Sequence, residues 1–135
     1  MRTTPIRNAK LKFAILRHFD FPGRDDHFDI LLEVSSGEDE QQTALVKFET
    51  NSDLASGNLL VEHKGLVRRR YLRYEGPMTG NRGHVERVDR GSYVLRGMEC
   101  VDFNGVVLRG RYFLDSGSPC EILRSIKQIA LLMKI

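Results

Sequence analysis

The sequence contains little of what would place it in several large protein classes. Its 135 residues include two cysteines, Cys100 and Cys120, which form neither a metal-binding motif nor a disulfide framework. Two reduced thiols are typical of a cytoplasmic protein. No stretch approaches the roughly 18 apolar residues of a transmembrane helix, and residues 1–10 contain no apolar run that could act as a signal peptide. We therefore expect a cytoplasmic protein without a membrane partner.

Repeats, low-complexity tracts and long linkers are also absent from the sequence. Hydrophobic residues make up 41% of the chain and charged residues 29%, which is ordinary for a globular protein. A chain of this length can bury one sizeable core. We expect a single domain over residues 1–135.

The net charge of +3 is unevenly distributed along the chain. Between Lys64 and Arg96 there are nine Lys or Arg and three acids, a local charge of +6, whereas the remainder carries −3. A basic stretch of this kind can attract and hold a polyanion such as nucleic acid. The alternative interpretation is a solvated strand face, and composition alone leaves both open.

Short apolar runs separated by turn-forming residues about every ten positions predict a β-sandwich or β-barrel. The candidate strands are residues 11–17, 27–34, 43–48, 58–62, 66–74, 84–89, 92–97 and 106–114. The final segment is ambiguous, because residues 121–132 have the apolar spacing of a helix while residues 130–135 would suit a last buried strand.

The strand HFDILLEV (27–34) has an apolar face and a face on which three of four side chains are ionisable. Phe28, Ile30, Leu32 and Val34 share one face, which we predict to face the core. The other face carries His27, Asp29, Leu31 and Glu33. Residues two apart on one face are about 7 Å apart along the strand, so an imidazole and a carboxylate there can converge on one ion.

A third candidate ligand, His18, follows the preceding strand, so a hairpin could bring it beside His27 and Asp29. Two His and one Asp suit Mn²⁺, Fe²⁺ or Zn²⁺ and leave coordination positions open. The alternative is that all three are ordinary surface residues.

Ordered short motifs in the chain are similar to those of a known family. They are RH at 17–18, HFDILLE at 27–33, YEGPMTGNRGHVERVDRGSY at 74–93 and LRGRYFL at 108–114. In this order and spacing they resemble the 3′-phosphoesterase domain of bacterial DNA ligase D. The resemblance covers nearly the whole chain and suggests a stand-alone version of that domain, without an attached ligase or polymerase.

The resemblance implies a mainly β fold, a single compact β-barrel with antiparallel strands and little helix. It implies removal of a 3′-phosphate or 3′-ribonucleotide from DNA or RNA-containing DNA 3′ ends during DNA repair, with a repair ligase or polymerase as partner. It places a metal on His18, His27 and Asp29, with Mn²⁺ as the implied ion and Zn²⁺ or another transition metal as the alternative. Tyr71 and Lys47 match the family's catalytic residues.

Phosphate-binding residues follow from the predicted strand 66–74 together with this resemblance. If the strand alternates, Arg69 and Arg73 share the face of Tyr71 and are better phosphate ligands than Arg68 or Arg70. Arg82, in a glycine-rich turn, is a third candidate.

Three positions that are polar in the family are apolar here, namely Leu16, Leu31 and Val67. Val67 stands where the family has a histidine near the leaving group, so we expect reduced activity. The alternative function is a non-catalytic nucleic-acid-binding module that keeps the barrel and the basic face. A further alternative is a phosphoesterase of small phosphorylated molecules.

Overall fold

Nine β-strands and one short 3₁₀ helix are present in the computed structural model, which describes residues 8–96, 100–115 and 129–134. The strands are β1 (Leu11–Phe19), β2 (His27–Glu33), β3 (Thr43–Thr50), β4 (Asn58–Arg68), β5 (Gly76–Pro77), β6 (His84–Arg96), β7 (Cys100–Asn104), β8 (Arg109–Asp115) and β9 (Ile129–Lys134). The 3₁₀ helix, Arg69–Leu72, directly follows β4. No helix in these described ranges has the length and apolar character needed to cross a membrane.

Antiparallel pairing closes eight of these strands into a ring. The order is β1-β2-β3-β4-β9-β8-β7-β6, and β6 pairs again with β1 to complete it. The two-residue strand β5 adds to the edge of β6 at its first residues. The prediction of a mainly β barrel with antiparallel strands and little helix is therefore confirmed.

Several predicted strand bounds differ from the structure. The predicted strand 66–74 ends at Arg68, and the 3₁₀ helix begins at the next residue, Arg69. The predicted strands 84–89 and 92–97 are one continuous strand, His84–Arg96. Strand Cys100–Asn104 was not predicted, because its polar and apolar residues are too few to establish a period.

The ambiguity near the C-terminus is partly resolved. Residues 129–134 form a strand that pairs with both β4 and β8, so the strand interpretation is correct there. Residues 121–128, where a helix was the alternative, lie outside the described part of the chain.

The main hydrophobic core occupies the interior of the ring, since strands all around the ring contribute to it. Its members include Phe13, Ile15, Ile30, Leu32, Val46, Phe48, Leu59, Val61, Tyr93, Leu95, Val101, Phe103, Tyr112 and Leu132. On β2, Ile30 and Leu32 point into this core and Phe28 packs against it, as the alternation predicted.

Residues 89–93, DRGSY, here called the D-R-G-x-Y motif, stabilise a chain reversal in the barrel wall. The buried carboxylate of Asp89 accepts hydrogen bonds from the backbone N–H groups of residues 106–108, at 2.7–3.2 Å. A Cβ atom on Gly91 would lie 2.1 Å from the carbonyl oxygen of Asn104, so only glycine fits at this position. The Asp and Gly of this motif therefore hold the β7–β8 loop against β6.

Replacing Asp89 with Ala should destabilise the fold by roughly 2–4 kcal/mol, because the backbone N–H groups of residues 106–108 lose a charged acceptor and that of Leu108 is buried. The measurement is the free energy of unfolding in urea. The matched control is Asp102→Ala, which removes an ion-paired carboxylate on the surface and should cost clearly less, since surface pairs contribute little. Equal losses for the two variants would contradict this account of Asp89.

Candidate metal centre and adjoining cleft

The outward face of β2 is buried as completely as its inward face. His27, Asp29, Leu31 and Glu33 all point away from the barrel interior, yet each is no more than 5% exposed. Residues 69–83, here called the covering segment, contain the 3₁₀ helix and β5 and cover Asp29, Leu31 and Glu33. His27 lies instead beside the β1–β2 loop and Glu49. The predicted site therefore lies in a cleft between the barrel wall and this segment, not on a solvated strand face.

Strand pairing places His18 beside the other two candidate ligands. The β1–β2 register puts His18 opposite His27 and Leu16 opposite Asp29. One ligand atom from each of His18, His27 and Asp29 lies within 4.8 Å of the others. The prediction that the three residues converge is confirmed, and the cluster could hold a metal ion.

The hydrogen bonds of His18 determine which of its nitrogens can be a ligand. Its Nε2 lies 2.7 Å from the backbone carbonyl oxygen of Arg82 and must donate a proton to it, because a carbonyl only accepts. In the neutral imidazole, Nδ1 then carries a lone pair, and this atom lies 3.1 Å from Oδ2 of Asp29. A lone pair thus faces a carboxylate oxygen.

The arrangement around His27 is the same with the two nitrogens exchanged. Nδ1 donates to the backbone carbonyl of Asp25 at 3.1 Å, which leaves the lone pair on Nε2. Nε2 lies 3.2 Å from Oδ1 of Asp29 and 3.6 Å from Oε1 of Glu49. Both Nε2 of His27 and Oδ1 of Asp29 are buried and have no hydrogen-bond partner among the described residues.

These contacts fit a cation between the three side chains. Acceptor atoms that face each other at about 3 Å need either extra protons or a positive ion between them. An ion about 2.0–2.2 Å from imidazole nitrogen and carboxylate oxygen would occupy that space. Each imidazole also donates its remaining N–H to a backbone carbonyl, which is how metal-binding histidines are commonly oriented.

Without a bound metal, the surroundings of His27 favour its protonated form. Burial by itself would lower the pKa of His27, but hydrogen bonds to Asp29 and to the Asp25 carbonyl, with the charges of Asp29 and Glu49, raise it. Burial would raise the pKa of Asp29, yet its contacts with the imidazoles of His18 and His27 and the charge of Lys47 lower it to about 2. Below the raised pKa of His27 a metal must displace a proton from this residue, so metal affinity should fall as the pH drops through that pKa.

Replacing His27 with Ala should weaken Mn²⁺ binding at least about 100-fold, since even residues that only orient a ligand contribute about 10–100-fold. Titration calorimetry near neutral pH measures this. His63→Ala is the control, because His63 packs against Phe48 and belongs to no ligand cluster within the described part of the chain. Equal affinities for the His27 variant and the unmodified protein would contradict the assignment.

Charged residues on β3 and the β1–β2 loop complete the surroundings of the cluster. Lys47 Nζ lies 3.9 Å from Oδ1 of Asp29 and 3.5 Å from Oε2 of Glu49. Arg24 donates to Oε1 of Glu49 at 2.6 Å. Burial would raise the pKa of Glu49, but the hydrogen bond from Arg24 and the charges of His27 and Lys47 keep it low.

Glu49 was missed by reasoning from the sequence, although a signal was present. It follows Lys47 by two positions and so shares its strand face. Pairing of β2 with β3 then sets Glu49 directly opposite Asp29. That pairing register is a tertiary feature, which explains why the chain's local pattern did not reveal it.

A cavity of about 290 Å³ adjoins Asp29 beneath the covering segment. It is lined by Leu16, Asp29, Leu31, Thr43, Lys47, Leu66, Val67, Arg68, Tyr71, Met78, Arg82 and Val85. Tyr71, Lys47 and Arg82 were all predicted site residues, and they share this cavity with Asp29. The three positions that are apolar where the family is polar also meet here.

Two predicted phosphate ligands are not among the residues that line this cavity. The expected alternation through Arg69 and Arg73 is wrong, because the strand ends at Arg68 and the 3₁₀ helix turns the following side chains in new directions. Arg68, which we had ranked below them, lines the cavity instead. Arg73 is exposed and pairs with Glu40.

Arg69 anchors the covering segment to the barrel. Its guanidinium is buried and lies 3.4 Å from Oε2 of Glu33, the last residue of β2. It also donates to the backbone carbonyls of Ser35 and Asp39 at 2.9 Å and to Oε1 of Gln42 at 2.7 Å. The charge predicted to bind phosphate is thus used within the fold.

Arg69→Ala should destabilise the protein by about 3–5 kcal/mol, because it leaves the Glu33 carboxylate buried without its partner. Unfolding in urea measures the loss. Arg73→Ala removes a neighbouring arginine with an exposed acidic partner and should change stability by less than about 1 kcal/mol. If Arg69→Ala is as stable as Arg73→Ala, Arg69 is not the anchor described here.

Comparisons with known proteins provide no independent assignment. The sequence matches no protein-family model, and no curated protein shows significant similarity to it. The resemblance to the ligase D phosphoesterase domain therefore remains a hypothesis that rests on the motifs and on the site.

Proposed function

We propose that this protein is a metal-dependent phosphoesterase that acts on nucleic-acid 3′ ends. The observation that carries the proposal is the arrangement of His18, His27 and Asp29, in which two imidazole lone pairs face one carboxylate. The adjoining cavity, with its cationic side chains, supports a phosphorylated substrate. The order of motifs along the chain supports the 3′ end as the part that is processed.

The donor set favours a divalent transition metal, with Mn²⁺ proposed and Zn²⁺ as the alternative. Two imidazoles and one carboxylate without a thiolate suit either ion. When bound, such an ion would polarise a phosphoryl oxygen and lower the pKa of a coordinated water. The carbonyls of Arg82 and Asp25 would keep both imidazoles oriented toward it.

The chain supplies positive charge next to this centre from three separate elements. Lys47 comes from β3, Arg68 from the end of β4 and Arg82 from the turn before β6. They would neutralise the phosphoryl oxygens as charge develops on them. Tyr71 lines the same cavity, and its hydroxyl group would donate to a phosphate oxygen. Arg68 takes the place that we had predicted for Arg69 and Arg73.

Proton transfer to the leaving group is the weak part of this site. Leu16, Leu31 and Val67 all line the cavity, and none can donate a proton. General acid–base assistance is worth about 10²–10⁴ in rate. We therefore expect slower turnover than a site with a histidine at Val67 would have.

The second candidate is a non-catalytic nucleic-acid-binding module, and the apolar lining of the cavity favours it. Leu16 and Leu31 are 2% exposed and belong to a continuous apolar cluster with Leu45 and Val85. Such a wall contributes to packing and affinity but not to chemistry. This candidate predicts oligonucleotide binding without phosphate release.

With Mn²⁺ present, the protein should release inorganic phosphate from a 3′-phosphorylated oligonucleotide. Asp29→Asn should lower the rate at least about 100-fold, because it weakens the metal site. Asp102→Asn is the control, since it changes a surface carboxylate paired with Arg96 and Arg111, and it should keep the full rate.

Three results would count against the proposed function. Binding of the oligonucleotide without release supports the non-catalytic module. Equal release by the Asp29 variant and the unmodified protein means that the chemistry occurs elsewhere. Release from small phosphorylated molecules but not from the oligonucleotide supports the small-molecule alternative.

A further inference from the structure

The cavity beside Asp29 combines an apolar interior with a charged rim. Leu31 and Val67 form part of its wall on the barrel side, and Met78 approaches from the covering segment. Tyr71 adds an aromatic ring, which contacts the ring of Tyr74 edge-on with centroids 5.7 Å apart. A phosphate group alone would leave this apolar surface without a partner.

The rim carries positive charge that the fold itself does not neutralise. Arg68 and Arg82 form no ion pair with any residue in the described ranges. The guanidinium of Arg82 is held by the carbonyl and hydroxyl oxygens of Thr79, at 2.6 and 2.9 Å. A cavity with apolar walls and unpaired positive charge at its rim suits a ligand in which an anionic group is attached to a flat apolar group.

We propose that this cavity receives the base of an unpaired 3′-terminal nucleotide, while the phosphate lies toward Lys47 and Arg68. The inference rests on the proposed function and specifies its substrate as a frayed or mispaired end. A nucleobase offers a flat apolar face to Leu31, Val67 and Tyr71, and its phosphate offers the matching charge to Arg68.

The size of the cavity requires the base to be unpaired. About 290 Å³ is at the lower end of the range for small-molecule sites, roughly 300–1,000 Å³. It admits one nucleotide but not a stacked base pair. A terminal base must therefore leave its partner strand to enter, at a cost that is least for a mispaired base.

Three duplexes of equal length and charge test the proposal. Each carries a 3′-phosphate, and the terminal base is mispaired, correctly paired or missing as an abasic site. Binding is measured by fluorescence anisotropy without added metal, so that the phosphate stays intact. We expect the mispaired end to bind about tenfold more tightly than the other two, a factor typical of stacking one base on a protein side chain.

Two cavity variants and one control assign the preference to this site. Val67→Asn, from β4, and Met78→Gln, from the covering segment, should each reduce the preference to within about twofold. Val106→Asn makes the same change as the first variant at a side chain that is 86% exposed in the β7–β8 loop, and it should retain the preference. Because the variants lie on different segments, loss of folding in one leaves the other as a test.

The outcomes separate this proposal from the proposed function. Equal binding of mispaired and abasic ends, no binding of any duplex, or an unchanged preference in a folded cavity variant overturns the base site. Phosphate release at equal rates from mispaired and abasic ends supports the phosphoesterase and refutes the base site. A preference for mispaired ends without any release supports the base site and refutes the phosphoesterase.

Discussion

The structure depends on one constraint, which is that β2 is buried on both of its faces. Its inward face is apolar and packs in the barrel, whereas its outward face carries His27, Asp29 and Glu33. Covering these polar groups costs free energy unless each finds a partner. Glu33 is neutralised by Arg69, and Asp29 is held between two histidines. The covering segment and the candidate metal centre thus both compensate negative charge that is buried on this face.

The same covering links the candidate chemistry to the stability of the protein. Leu16 and Leu31 belong to the apolar cluster with Leu45 and Val85 beneath the covering segment, and they also line the cavity next to Asp29. A polar side chain at either position would help a phosphate site but would weaken the packing that holds the covering segment down. The glycine at 83 belongs to this arrangement, because a Cβ atom there would lie 2.2 Å from the carbonyl oxygen of Phe19. Close contact between the covering segment and the barrel wall therefore shapes the cleft.

Predictions made from local periodicity were correct where the backbone remained regular. The alternation of β2 correctly separated Ile30 and Leu32 from His27 and Asp29, because side chains in a strand repeat every two residues whatever the rest of the fold does. The same rule failed at Arg69, where the strand ends and a 3₁₀ turn with a period near three begins. Nothing local marks that change, since the run of arginines has no turn-forming residue. The D-R-G-x-Y motif stands out in the sequence, but only the packing of Asp89 and Gly91 shows its structural role.

By itself, the sequence determined that the chain forms strands and that His27 and Asp29 share a face, since both properties depend on the geometry of a few consecutive residues. The tertiary structure decided that this face is covered, that Glu49 stands opposite Asp29, and that Arg68 rather than Arg69 reaches the cavity. Those features depend on pairing between distant parts of the chain, as in the contact between Arg69 and Glu33, which are 36 residues apart. Such contacts form only when the intervening strands pair, because their free energy must offset the entropy lost in bringing separated segments together.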